Sequence, residues 1–189
     1  MLKITLVLAL LSASLFAQEL TIDRDGITKA HNDLRATYKL RGLKYSKTLE
    51  KAANKWAKKL QKDGCGMVHS HGKVGAYGEN LYWASPMVQT LTHSNGKVEK
   101  KNSLQKVQDQ AVVQAWFDEV KWYEYNTNSC QEGEMCGHYT QVIWNTTTEL
   151  GCAAMVCPDR SQVWVCEYAP AGNIIMQYAN GTTKRLKPY

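Results

Sequence analysis

Gly137-His138-Tyr139-Thr140-Gln141-Val142-Ile143-Trp144 joins a polar quartet to an apolar run. Its histidine is a side chain that binds metal or moves protons near neutral pH. Three other residues can do related chemistry. They are His69, beside Ser70; Glu79, within Gly78-Glu79-Asn80-Leu81; and Glu119, within Trp116-Phe117-Asp118-Glu119. Two imidazoles can ligate a divalent cation. Two carboxylates can orient those rings, ligate directly, or act as acid and base. Spacing alone does not bring the four together, and each taken singly reads as a structural or exposed polar residue.

Nucleophilic chemistry has thinner support. Ser70 is adjacent to His69 and Thr140 is two residues from His138. Neither sits in a motif that supplies a base and an orienting group. Water activated by a metal needs an open coordination position and a carboxylate base. Two histidines without a third protein ligand are a slim platform for it. His71 could replace His69 as a ligand, but no motif selects it. His93 falls in a turn-rich stretch and reads as exposed. His31 falls in a helical segment and reads as a structural hydrogen-bonding residue.

Elements must position these residues. Ile27, Ala30, His31, Leu34 and Tyr38 recur at helical spacing, and Arg41-Gly42 ends that segment. Ser46 can cap a second helix whose apolar face is Leu49, Ala52, Ala53, Trp56, Ala57 and Leu60. Its lysines mostly occupy the other face, and Gly64 stops it. The spacing predicts a third helix from about Ser103 to Val120, with Glu119 near its end. Residues 72–101 are rich in Gly, Ser and Asn, carry an Asn95-Gly96 turn signal, and read as a turn-rich connection. Residues 139–144, 150–157 and 162–168 read as strands. Helices first and strands later predict an α+β fold built in layers.

Residues 1–17 have the pattern of a secretory signal peptide: Lys3, an apolar stretch, then the small Ala17. The stretch is short for a bilayer span. Residues 18–189 are expected to form a single domain, secreted and extracellular, of a size that buries a sizeable core. Six cysteines follow the leader: Cys65, Cys130, Cys136, Cys152, Cys157 and Cys166. An even count behind such a leader predicts three disulfides, and the lack of a CxxC pair argues against a zinc cluster. Count alone leaves the connectivity open. The formal charge of +6, less one without Lys3, suits weak attraction to anionic surfaces. Its basic residues form no stripe interleaved with aromatics, which argues against nucleic acid as a partner.

The opening octet, extended through Asn145-Thr146-Thr147, resembles the first signature of the CAP superfamily. That group comprises cysteine-rich secretory proteins, venom antigen five and plant pathogenesis-related class one proteins, and its module is the SCP-like extracellular domain. Val163-Trp164-Val165-Cys166-Glu167-Tyr168-Ala169-Pro170-Ala171-Gly172-Asn173-Ile174 resembles the second signature and departs from it at Trp164 and Glu167. His31-Asn32-Asp33-Leu34-Arg35 is similar to the HNxxR helix motif, and Gly78-Glu79-Asn80-Leu81 to the GEN motif.

The resemblance implies a three-layer α-β-α sandwich, stabilised by Cys65–Cys157, Cys130–Cys136 and Cys152–Cys166. It implies that His69, Glu79, Glu119 and His138 form a tetrad lining a central cleft. His69 and His138 would be the ligands of a divalent metal, most simply Zn2+. His31, Asn32, Arg35, Asn80 and Asn173 would be structural, the two asparagines in turns beside the cleft. The leading functional expectation is a non-enzymatic binding module for defence, host interaction or signalling. Its ligand would be a sterol, fatty acid or other apolar molecule, with an extracellular protein or membrane surface as partner. The alternative is a secreted hydrolase of protease type using the same tetrad. A disulfide scaffold acting through its loops would need no tetrad. Asn145-Thr146-Thr147 and Asn180-Gly181-Thr182 are acceptor patterns for N-glycosylation.

Overall fold

The computed structural model describes residues 19–189. The leader read over 1–17 lies outside the described residues. In chain order come β1 (Glu19–Leu20), α1 (Arg24–Thr37), β2 (Lys44–Tyr45), α2 (Lys47–Lys62), β3 (Gly78–Ala84), β4 (Met87–Thr92) and β5 (Val98–Ser103). Then follow α3 (Asp109–Phe117), a 3-10 turn (Asp118–Trp122), β6 (Tyr123–Glu124), β7 (Ser129–Cys130) and α4 (Gly137–Val142). The chain ends with β8 (Glu149–Val156), β9 (Gln162–Ala169), β10 (Ile175–Gln177) and β11 (Thr183–Arg185).

The central sheet runs β1-β8-β9-β3 with antiparallel neighbours, and β2 adds in parallel to β8. Successive side chains of a strand point to opposite faces, and both faces of β9 are covered. Val163 and Val165 meet Ala53, Trp56, Ala57 and Leu60 of α2. Trp164, Cys166 and Tyr168 meet Ile27 and Ala30 of α1, Val112 and Trp116 of α3, and Tyr139 and Val142 of α4. Helices therefore flank an antiparallel sheet in the α+β arrangement expected. Gly151 allows α2 to lie close on β8, because a Cβ there would collide with the backbone of Leu49 and Glu50. Among the described residues, no helix is long and apolar enough to cross a membrane.

Three disulfides close the fold, and among the described residues no cysteine is free. Cys65–Cys157 ties the end of α2 to the end of β8. Cys152–Cys166 links the paired strands β8 and β9. Cys130–Cys136 closes the loop that leads into α4.

Three elements differ from the expectation. Residues 137–142 form a helix, not the start of a strand. The residues of this stretch are strand formers by propensity, but here tertiary bonds decide. Arg35, fully buried, donates from Nη1 to the carbonyls of Val142 (2.8 Å) and Trp144 (2.9 Å) and from Nη2 to Thr147 (3.2 Å). Its Nε donates to Arg41 (2.9 Å), so one guanidinium holds the end of α4 and the turn after it. The third helix starts later than expected, because Ser103 ends β5 and pairs across to Met87. Glu119 falls in the 3-10 turn. The turn-rich connection holds a full strand, β3, which pairs with β9 along its whole length. The Asn95-Gly96 turn does close a hairpin, β4–β5.

Candidate functional site

His69 lies in the coil between α2 and β3. Trp56 pins this coil by donating from Nε1 to the carbonyl of Val68 (2.9 Å). Glu79 projects from β3 and accepts at one oxygen, Oε1, from His69 Nδ1 (2.7 Å) and from the Ser70 N–H (2.9 Å). The Glu79 side chain is 5% exposed and that of His69 46%. Burial works to raise the pKa of Glu79, but the bonds from His69 and Ser70 outweigh it. The carboxyl is held below its ordinary range and stays ionised.

His138 occupies the first turn of α4. Its Nδ1 donates to Glu119 Oε1 (2.6 Å). Glu119 Oε2 accepts from the N–H groups of His138 (3.0 Å) and Tyr139 (3.2 Å). A carboxylate thus satisfies two open donors at the helix start, where negative charge is favoured. The His138 ring stacks on Trp116 at 6.4 Å between centroids and 25° between planes. Asn80 Nδ2 donates to the carbonyl of His138 (3.1 Å). Asn173 Nδ2 donates to the carbonyl of Gly137 (2.9 Å), and Asn173 Oδ1 accepts from Thr140 Oγ1 (2.6 Å). Asn80 sits in a strand rather than the turn expected, whereas Asn173 has the left-handed backbone of a turn (φ 56°). Both grip the first turn of α4.

The two rings face each other at 6.4 Å between centroids and 30° between planes. In a neutral imidazole whose Nδ1 donates to a carboxylate, Nε2 is the nitrogen that carries the lone pair. Among the described residues, neither Nε2 has a hydrogen-bond partner. The rings border a cleft of about 300 Å³ whose wall includes Glu79, Met135, Trp144, Asn173, Arg185 and Leu186. Glu119 is not on that wall; it stands behind His138. Among the described residues, no group of three or more His, Cys, Asp or Glu side chains is arranged to hold a metal ion. The observed ring separation lies near the upper limit for two imidazoles sharing one cation through Zn–N bonds of about 2.0–2.1 Å. That limit is reached only with the rings nearly collinear about the ion, so the two rings would have to approach each other to act as tetrahedral ligands.

Other candidates resolve simply. His71 is exposed, with its ring 6.4 Å from that of His69. His93 is exposed on the β4–β5 hairpin beside Glu99 (3.3 Å). The Thr140 hydroxyl is engaged by Asn173, and Ser70 is buried. His31 is buried in the core, between the Ile27 carbonyl and the Tyr168 hydroxyl. Asn32 bridges to both backbone groups of Leu43. Sequence reasoning missed Arg185 and Met135 on the wall, which carry no motif. It noted Glu167 only as a departure from a signature and gave it no role.

An antiparallel sheet between helical layers, cross-linked by disulfides and carrying paired His/Glu groups at a cleft, defines a disulfide-stabilised α+β sandwich. The chain belongs to the CAP group described as the Cysteine-rich secretory protein family, which matches residues 28–168. It is 39% identical over 144 residues to the pathogenesis-related protein PRMS of Zea mays, covering 76% of this chain and 74% of that protein. The structure of Schistosoma mansoni venom allergen-like protein 4 matches with a TM-score of 0.58 at 24% identity, over 80% of this chain and 90% of that one, and speaks for the fold. NaASP2, crystallised with Zn2+, matches with a TM-score of 0.56 at 25% identity, over 80% of each chain.

Proposed function

We propose that the chain is a secreted, non-enzymatic binding protein whose cleft holds a divalent metal, Zn2+, through Nε2 of His69 and His138. In this reading residues 1–17 are its leader and 18–189 its single domain. The observation that carries it is the pairing of two imidazoles whose centroids lie 6.4 Å apart, each with Nδ1 committed to a carboxylate. Carboxylate partners of this kind fix the tautomer and raise ligand basicity. Bound there, the ion would supply a coordination position for an oxygen or nitrogen donor of a ligand. His69, the more exposed ring, is the one free to adjust its position.

Support for the ion comes also from the relative crystallised with Zn2+. A role in defence draws on the pathogenesis-related relatives. A sterol or fatty-acid ligand and an extracellular or membrane-surface partner belong to the same reading, on family grounds. The hydrolase alternative lacks a free nucleophile beside either histidine, given the engaged Thr140 and the buried Ser70.

Native mass spectrometry of protein purified without chelator reports metal and co-purifying lipid together. Thermal melts then compare zinc with chelator for the wild type, His69→Ala and His138→Ala. An ion at 100 times its Kd stabilises the folded state by about 2.7 kcal/mol. Loss of that shift in both variants is the expected result. Equal zinc stabilisation of all three proteins would remove the assigned site.

A further inference from the structure

Behind His69 lies a second carboxyl group. Glu167 on β9 is the direct cross-strand partner of Glu79 on β3. Directly opposed residues share a face, with Cβ atoms about 4.5–5.5 Å apart. Glu167 is 0% exposed, on the sheet face that carries Leu81, Val165 and the apolar side of α2. Among the described residues, neither of its oxygens has a hydrogen-bond partner, and neither has Oε2 of Glu79. Two adjacent buried carboxylates would repel each other and lack solvation.

The two His/Glu pairs show what is missing. Each histidine takes one oxygen of its carboxylate. At His138, the other oxygen of Glu119 is satisfied by two backbone N–H groups. At His69, the other oxygen of Glu79 has no such donor. A proton on Glu167 supplies one and removes the repulsion in the same step.

We infer that Glu167 is held as a neutral carboxylic acid that donates its hydrogen to Oε2 of Glu79, making it the positioning residue for Glu79 and, through it, for His69. Burial and the neighbouring charge of Glu79 push Glu167 up to about 9, in the same sense. The pair then carries one negative charge, and that charge is directed at His69 Nδ1. A chain Glu167–Glu79–His69 reaches from the inside of the sheet to the cleft. Only the zinc readout below rests on the metal reading; the proton itself is tested without metal.

Infrared spectroscopy of the metal-free wild type at neutral pH should show the carbonyl stretch of a protonated carboxylic acid, absent from Glu167→Gln. Lack of this band overturns the inference, as does its loss on adding calcium, which would make the pair a cation site. The amide of Glu167→Gln can still donate to Glu79, whereas Glu167→Leu cannot. Nitrogen NMR should therefore find the His69 tautomer unchanged in Glu167→Gln and mixed in Glu167→Leu. Zinc affinity should follow, unchanged in Glu167→Gln and about tenfold or more weaker in Glu167→Leu. Equal behaviour of the two variants overturns the positioning role. If zinc binds neither the variants nor the wild type, the metal reading fails, while infrared and NMR still decide this one. If Glu167→Leu does not fold, the wild-type band and Glu167→Gln decide it.

Discussion

His31 makes the fold sensitive to acid by an amount that can be worked out. Its Nδ1 lies 2.8 Å from the Ile27 carbonyl, which can only accept, so Nδ1 carries the hydrogen. Its Nε2, 2.8 Å from the Tyr168 hydroxyl, then accepts. The ring is fully buried, with the Arg35 guanidinium nearby. Burial first, and then the positive charge of Arg35, lower its pKa from 6.5 to about 4 against the opposing pull of the Ile27 carbonyl. Above pH 6.5 the ring is neutral in both folded and unfolded chains and contributes no pH dependence. As pH falls below that value, the unfolded chain takes up a proton that the folded chain refuses. Stability therefore falls with pH, by about 1.4 kcal/mol per unit, and levels off near the folded pKa. The full loss is about 3 kcal/mol.

Other groups must be separated from this effect. Glu50, Glu79 and Asp159 have lowered pKa values, so their stabilisation is present above their unfolded values of 4.5 or 3.8 and is lost below them. Glu167 acts in the opposite sense. Its raised pKa means the folded state keeps a proton that the unfolded chain loses above 4.5, so its contribution fades as pH rises. The total profile can therefore look flat between pH 4.5 and 6.5. The difference between wild type and His31→Gln isolates the histidine, because the amide supplies one donor and one acceptor and does not titrate. Urea unfolding across this window, with disulfides intact, should show wild type losing about 2–3 kcal/mol relative to His31→Gln. Parallel profiles would refute the reasoning.

Asn80→Ala and Asn173→Ala should each lower stability by about 1–3 kcal/mol, since each removes a side-chain donor to a backbone carbonyl of the first α4 turn, and Asn173→Ala also removes the acceptor of the Thr140 hydroxyl; unchanged urea midpoints would count against this. Arg35→Lys should cost more than about 3 kcal/mol, because an ammonium cannot reproduce a fork bonded to the carbonyls of Arg41, Val142, Trp144 and Thr147. The same unfolding assay reads it, and a loss below that of Asn80→Ala would be the contrary result. Replacing Cys65 and Cys157 by Ala should cost about 4–5 kcal/mol, against about 2 kcal/mol for the Cys130 and Cys136 pair. The separations are 92 and 6 residues, and chemical denaturation of the two double variants would test whether the longer loop matters more.

Those values depend on contacts that were unequally visible in the sequence. The segments that became α1 and α2 were legible because burial of one helix face imposes a period, and β8 and β9 because strands covered on both faces read as short, nearly continuous apolar runs. The octet at 137–144 was misread because Tyr, Thr, Val, Ile and Trp favour strands, while the forces that make it helical lie elsewhere in the chain. They are the Glu119 carboxylate at its start and the Arg35 guanidinium at its end. The strand β3 was hidden for a related reason. Gly78, Glu79 and Asn80 show no apolar alternation, and their pairing partners lie on β9.

The same limit applies to the chemistry of the cleft. Motifs pointed to four polar residues, but a motif does not say which atom of each is already spent. Glu119 lies beside His138 and spends both oxygens on that ring and on the start of α4. Glu79 spends one oxygen on the His69 side and leaves the other in a buried place without a visible donor. That asymmetry arises from antiparallel register, which sets residue 167 opposite residue 79 across a gap of nearly half the chain. Glu167 already holds its proton at neutral pH, so acid reaches the site by another path. That path runs from His31 through the Tyr168 hydroxyl to Asn80, whose Nδ2 lies 3.4 Å from that hydroxyl and 3.1 Å from the His138 carbonyl. A proton forced onto His31 turns its Nε2 from acceptor to donor. Tyr168 must then reorient its hydroxyl, and the amide that steadies His138 shares the change. Burial of polar groups thus couples the stability of the core to the geometry of both imidazoles.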